Sequence, residues 1–200
     1  MKVMKFGGTS VGKPHRMYEV ADLITKDSES KIVVLSAVSG TTNSLVEIGS
    51  FLAAGKKAEA KEKIDALHNQ YKAFVAELVK TPPALAKAEE VLKEHFEFLN
   101  IILRISYNEA LNKDILAQGE LLSTKLFSIY LGERGTHHQL IPALDFMSID
   151  ANDEPQVEVI REKLKAVLSQ HSKDSLFITQ GYICRNARGE VDNLKRGGSD

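Results

Sequence analysis

A single cysteine, Cys184, rules out any disulfide within the chain, a usage that fits a reducing compartment such as the cytoplasm. No apolar run approaches the roughly 20 residues of a membrane-spanning helix. The first eight residues hold no apolar stretch of the secretory-signal kind. Neither a membrane partner nor a secretory leader is therefore expected. Charge of one sign is also lacking: 26 basic against 27 acidic residues leave a net charge of −1. That balance gives no electrostatic reason to bind nucleic acid. The six histidines are scattered, only His137 and His138 adjoin, and no cysteines accompany them, so no structural metal site is expected. Internal repeats, low-complexity segments and linkers are likewise missing. Two hundred residues fit one domain, or one large lobe with an insertion, long enough to bury a core.

What is present alternates between two periodicities. Residues 3–6 read as a short buried strand, and KIVVLSAV (31–38) as a parallel strand covered on both sides, being β-branched and almost continuously apolar. Between them Met17, Val20, Ala21 and Ile24 recur at helical spacing. The middle of the chain is helical. Ile64, Leu67, Tyr71, Phe74 and Leu78 form one stripe; Leu85, Ala88, Leu92, Phe96, Leu99 and Leu103 form another, with Pro82-Pro83 as the break. A third helix carries ILAQGELLSTKLFSIYL (115–131). HHQLIPALDF returns to strand character, VEVIREKLKAVLSQ is an amphipathic helix, and SLFITQGYICR is one more buried strand, turning at Arg188-Gly189 into EVDNL. Strands alternating with helices predict an α/β fold, a mostly parallel sheet flanked by helices with a helical segment in the middle.

Four segments place glycine or polar residues where strands end: KFGGTS, SAVSGTTN, QGE and RGGSD. In open α/β sheets, ligands collect beyond the carboxyl ends of strands. Glycine pairs let peptide N–H groups approach an anion, and a helix starting after them adds favourable partial charge. Gly7, Gly12 and Lys13 also fall on the G-x-x-x-x-G-K spacing of a P-loop. The next residue, Pro14, has neither the hydroxyl that would ligate Mg²⁺ nor a backbone N–H, so either the match is chance or phosphate is held by a different geometry, with Lys5 placed before the glycines. Gly119 inside a helical stretch costs about 1 kcal/mol and asks for a packing or ligand reason.

Taken in order, KFGGTSV, VVLSAVSGTTNSL, QGELLS, QGY and RGGSD resemble the aspartokinases of the amino acid kinase superfamily, over nearly the whole chain. The resemblance implies the amino acid kinase (carbamate kinase-like) fold. It implies transfer of the γ-phosphoryl of ATP, with Mg²⁺ carried by the nucleotide, to the β-carboxylate of L-aspartate. Lys5 would bridge the transferred group, and Gly7, Gly8, Thr9 and Ser10 would line the phosphate path, together with Arg196, Gly197 and Gly198. Thr42, Glu120, Arg196 and Ser199 would hold aspartate, Glu120 through its ammonium. Asp200 would orient Lys5 or help place Mg²⁺. Residues 1–200 would be the amino-terminal portion of a catalytic domain, with the rest of the nucleotide-binding half and the regulatory domains beyond it. Such a chain is expected to turn over ATP poorly alone, and the full-length protein to be a homo-oligomer.

Two departures from the family's TLGRGGSD stand in NLKRGGSD: Asn193 replaces threonine and Lys195 replaces glycine. Tyr182 stands where phenylalanine is frequent. Competing readings are a kinase for glutamate, acetylglutamate or a nucleoside monophosphate, a P-loop NTPase, and a non-catalytic amino-acid-binding module. Lys5, Glu120, Arg196 and Asp200 occurring together argue against the last.

Overall fold

The computed structural model of the chain describes residues 1–195. Four parallel strands, β1 (Lys2–Phe6), β2 (Lys31–Leu35), β3 (Gln139–Leu140) and β4 (Leu176–Gln180), lie in the order β1-β2-β4-β3. Their side chains alternate between two cores, as a pleated strand requires. Val33, Leu35 and Ile178 enter the larger core, which they share with α1 (Pro14–Ile24), α2 (Thr41–Ala53), α3 (Lys57–Leu78), α4 (Pro82–Ile102) and α5 (Glu109–Glu133). Ile32, Val34 and Phe177 face the smaller one, covered by the half-buried Ile160, Leu164, Val167 and Leu168 of α6 (Val157–Gln170). The α/β expectation holds.

Helix α5 feeds both cores, with Ile115, Leu122 and Leu126 in the larger and Ala117 and Leu121 in the smaller. A helix apolar on several sides is a buried one, and this one runs past the carboxyl ends of the strands. The two-stripe reading of the middle also holds. Ile64, Leu67, Tyr71 and Leu78 of α3 and Ala88, Leu92, Phe96 and Leu99 of α4 are buried. Pro82 and Pro83 start α4, where a missing N–H costs nothing.

Four expectations change. Among the described residues strand β1 is an edge, paired only with β2, and Val3 is 70% exposed, so it is not a buried strand. Strand β2 stops at Leu35, and Ser36 onward forms the loop into α2. Strand β3 is two residues long because Pro142 has no N–H to extend the ladder, and Ala143–Asp145 is a 3-10 turn. Finally, 176–185 is not one strand. It breaks at Gly181 and Tyr182, whose N–H groups turn to the Glu120 carboxylate. The chain then continues as a separate antiparallel hairpin of β5 (Ile183–Arg185) and β6 (Val191–Asn193), turning at Gly189 with φ 79°.

Candidate active site

The loops after β1, β2 and β4 converge on one cavity of 1020 Å³. Gly8 and Thr9 line it from the first loop, Ser36 to Gly40 from the second, and Tyr182 from the third. The first two loops interlock backbone to backbone. A Cβ on Gly12 would stand 2.8 Å from the Gly8 carbonyl oxygen and from Ser39 Cβ, and one on Gly8 would stand 3.0 Å from the Ala37 oxygen. Glycine is required there by close approach. Gly7 and Ser10 close the turn, the Ser10 N–H donating to the Gly7 carbonyl at 2.9 Å, and neither is among the lining residues.

Glu120 occupies the floor. It is 4% exposed, and its Oε2 accepts from the peptide N–H groups of Gly181 at 2.9 Å and Tyr182 at 2.6 Å. Burial pushes its pKa up to about 7, against the opposing pull of those N–H groups and of the Lys5 charge. Lys5, two residues before the glycine pair on β1, therefore acts electrostatically on the floor carboxylate across the sheet end. Around Glu120 the polar groups are tied. Thr124 Oγ1 donates to its carbonyl at 2.7 Å, Gln180 Nε2 donates to Thr124 Oγ1 at 2.8 Å, and Ser123 Oγ donates to the Ser36 carbonyl at 2.7 Å. Gly119 lets α5 approach the loop after β2 this closely. A Cβ there would lie 2.9 Å from Ala37 Cβ, 3.3 Å from Leu45 Cδ1 and 3.4 Å from Thr41 Cγ2. The reason for this mid-helix glycine is packing, and that packing delivers the next residue, Glu120, to the strand ends.

Thr42 is exposed in the first turn of α2 and lines the cavity; Gly40, with φ 84°, caps that helix. The start of α2 thus brings a positive partial charge to the same space. Its neighbour Thr41 was not singled out from sequence, yet it is the buried one, with its Oγ1 2.8 Å from the Tyr71 hydroxyl. Arg196, Gly197, Gly198, Ser199 and Asp200 lie outside the described residues.

Sequence reasoning also missed the rest of the wall that α5 provides. Glu109, Asn112, Lys113 and Leu116 line the cavity along with Glu120. Their spacing of three and four was a usable signal, since one helical face carries them all. Lys113 Nζ lies 2.7 Å from Asp192 Oδ1 and fastens β6 to α5, while Lys195 Nζ lies 3.7 Å from Asp153 Oδ2 at the rim.

The model of the amino acid kinase family matches residues 1–200. The chain belongs to the amino acid kinase family. It is 33% identical over 201 residues to lysine-sensitive aspartokinase 3 of Escherichia coli (strain K12), covering 99% of the chain and 44% of that relative. It is 33% identical over 211 residues to the chloroplastic aspartokinase 2 of Arabidopsis thaliana, covering 99% and 38%. Among solved structures it is similar to E. coli aspartokinase III in complex with aspartate and ADP (R-state), with TM-score 0.82 and 31% identity, and in complex with lysine and aspartate (T-state), with TM-score 0.83 and 32% identity. Both superpositions cover 100% of this chain and 44% of the other. The chain therefore spans less than half the length of these relatives.

Proposed function

We propose that this amino acid kinase is the amino-terminal portion of an aspartokinase catalytic domain, and that the whole protein transfers the γ-phosphoryl of ATP to the β-carboxylate of L-aspartate, giving 4-phospho-L-aspartate. One observation carries the reading. A buried carboxylate, Glu120, sits on the floor of a cavity walled by a glycine loop and a helix N-terminus, and the charge of Lys5, on the strand that leads into that loop, acts on it. The similarity to aspartokinases solved with aspartate and ADP supports the choice of acceptor and donor.

The chemistry asks little covalent help of the protein. A carboxylate is already a usable nucleophile, and catalysis consists of holding two anions in line while neutralising their repulsion. Lys5 supplies a positive charge for the transferred group. Gly8 and Thr9, with Gly7 and Ser10 bracing the turn and Gly197 and Gly198 beyond the described residues, line the phosphate path. Glu120 accepts from the substrate ammonium. Thr42 at the start of α2 holds a carboxylate, joined by Arg196, which suits bidentate pairing, and by Ser199, while Asp200 orients Lys5. Among the described residues no carboxylate cluster is suited to a protein-held cation. Glu120 is engaged by peptide N–H groups and Asp192 by Lys113. Magnesium, which neutralises phosphate charge, would enter with the nucleotide, as the resemblance to the aspartokinases implies. In this reading the whole protein is a homo-oligomer in the cytoplasm, the compartment that the lone Cys184 fits; among the described residues no helix is long and apolar enough to cross a membrane.

Calorimetric titration of L-aspartate into the chain tests the acceptor half. Binding is expected, and Glu120→Gln should remove it. Preference for L-glutamate or N-acetylglutamate would overturn the substrate, and no binding of any amino acid would overturn the site.

A further inference from the structure

Asn193 closes β6, which packs against α5, and lines the cavity. It is 8% exposed, and both ends of its side chain, Nδ2 and Oδ1, have no hydrogen-bond partner among the described residues. A buried carboxamide with neither end satisfied is costly, because each group forgoes its bonds to water. Ser148 Oγ, Thr179 Oγ1 and His95 Nε2 are also buried and unpartnered, yet none of these residues lines the cavity. Asn193 alone of that set faces the space where an acceptor would lie.

Its placement is coupled to Glu120 through the backbone of Tyr182. Asn193 pairs with Ile183 across the hairpin, and Lys113 anchors the preceding Asp192 to α5 at 2.7 Å. The peptide of Tyr182 links the two sides. Its N–H donates to Glu120 Oε2 at 2.6 Å, while its carbonyl accepts from Leu194 N–H at 2.8 Å. The segment that grips the floor carboxylate therefore also holds the strand end that carries the amide.

From these contacts we infer that the Asn193 carboxamide binds the amino-acid head of the acceptor, Nδ2 donating to the α-carboxylate and Oδ1 accepting from the ammonium it shares with Glu120. A zwitterionic head offers one strong acceptor and one strong donor on adjacent atoms, which matches the two unsatisfied ends of a carboxamide. Asn193 is thus a specificity-determining residue, separating α-amino acids from ligands that carry only the β-carboxylate end. The inference rests on the acceptor site proposed above.

The test compares Asn193→Thr with Asn193→Val, two β-branched side chains of equal shape that differ in one hydroxyl and both suit a strand. Wild type, both variants and Glu120→Gln are titrated by calorimetry with L-aspartate and with β-alanine, which lacks the α-carboxylate. Selectivity for L-aspartate over β-alanine should fall about tenfold in the valine variant and stay within about threefold of wild type in the threonine variant, as expected for a lost and a retained hydrogen bond to a charged group. Equal selectivity in the two variants, or parallel weakening of both ligands, would overturn the role of Asn193 while Glu120→Gln still upholds the acceptor site. If wild type binds neither ligand, the acceptor site itself is wrong and this inference goes with it.

Discussion

The helical middle and the strand-end cavity are built on opposite terms. In α3 and α4 the largest buried side chains are Tyr71, Phe96, Ile64, Leu67 and Leu78, and aromatic rings meet there, with Tyr71 and Phe96 centroids 6.0 Å apart. At the strand ends the buried set includes a group of polar side chains: Glu120, Ser123, Thr124, Gln180 and Asn193. Apolar burial stabilises without regard to ligand. Buried polar groups tied into one network fix positions, and they leave some groups, such as Glu120 and Asn193, whose requirements a ligand can complete. The comparison implies that stability and binding are separable by mutation.

The largest effect should come from the helical side. Phe96 is 1% exposed, and Phe96→Ala should lower the free energy of unfolding by about 3–5 kcal/mol in urea titration, with the affinity of the folded protein for L-aspartate unchanged. A comparable loss of affinity would show that the middle shapes the site.

Next in size is a pH effect confined to the cavity. The Glu120 carboxyl has an ordinary value of 4.5 and is raised to about 7 on folding, chiefly by burial. Between those values the folded protein holds a proton that the unfolded chain has released, so stability falls as pH rises. The contribution is full below pH 4.5, is lost progressively through about pH 7, and is constant above. Its size is on the order of 3 kcal/mol. Denaturation series from pH 4.5 to 8 should show this slope, and Glu120→Gln should flatten it. L-aspartate affinity should run the other way and climb towards pH 7 and above, because an ammonium is held by the ionised carboxylate. A flat affinity profile would separate Glu120 from the ligand.

The two regions differed just as much in how legible they were. Helical spacing placed every buried residue named in α3 and α4, because a stripe of apolar residues at three and four needs no distant partner to be recognised. The sheet followed from the same local patterns, except where distant residues decide. The break after Gln180 depends on a carboxylate 61 positions earlier in the chain, the Gly181–Glu120 bond, which no local pattern in SLFITQGYICR reveals. The exposure of Val3 depends on strand order. In the site, Glu120 and the glycine loop were legible through motif resemblance. Lys113, Asp192 and the buried role of Thr41 were not, since each is defined by a partner on another element.

A smaller effect tests the joint between the regions. Gly119→Ala gains about 1 kcal/mol of helix propensity, yet its methyl would meet Ala37 Cβ at 2.9 Å, and an alanine Cβ cannot move without its backbone. Overpacking should win, for a net loss of about 1–2 kcal/mol by thermal or urea unfolding. Because Ala37 belongs to the cavity wall, L-aspartate affinity should fall as well. Retained affinity would mean that the SAVSG loop yields without disturbing the site.

The smallest effect concerns the polar contact that crosses from the helical middle to the cavity loop, the 2.8 Å bond between the Tyr71 hydroxyl and Thr41 Oγ1. Tyr71→Phe should lower stability by about 1 kcal/mol, since Thr41 sits in the first turn of α2 with carbonyl groups near to take its proton. Thr41→Val should cost more, because it strands a phenol that is 1% exposed and has no such alternative. The double variant should then be less destabilised than the sum of the two, because removing both partners leaves no buried group unsatisfied. None of the three should change L-aspartate affinity by more than about twofold if the bond holds the middle to the loop without shaping the site, since about 0.4 kcal/mol would then be the limit of coupling. Strict additivity in unfolding would instead mean that the two hydroxyls act independently, leaving van der Waals contact as the whole connection between α3 and the start of α2.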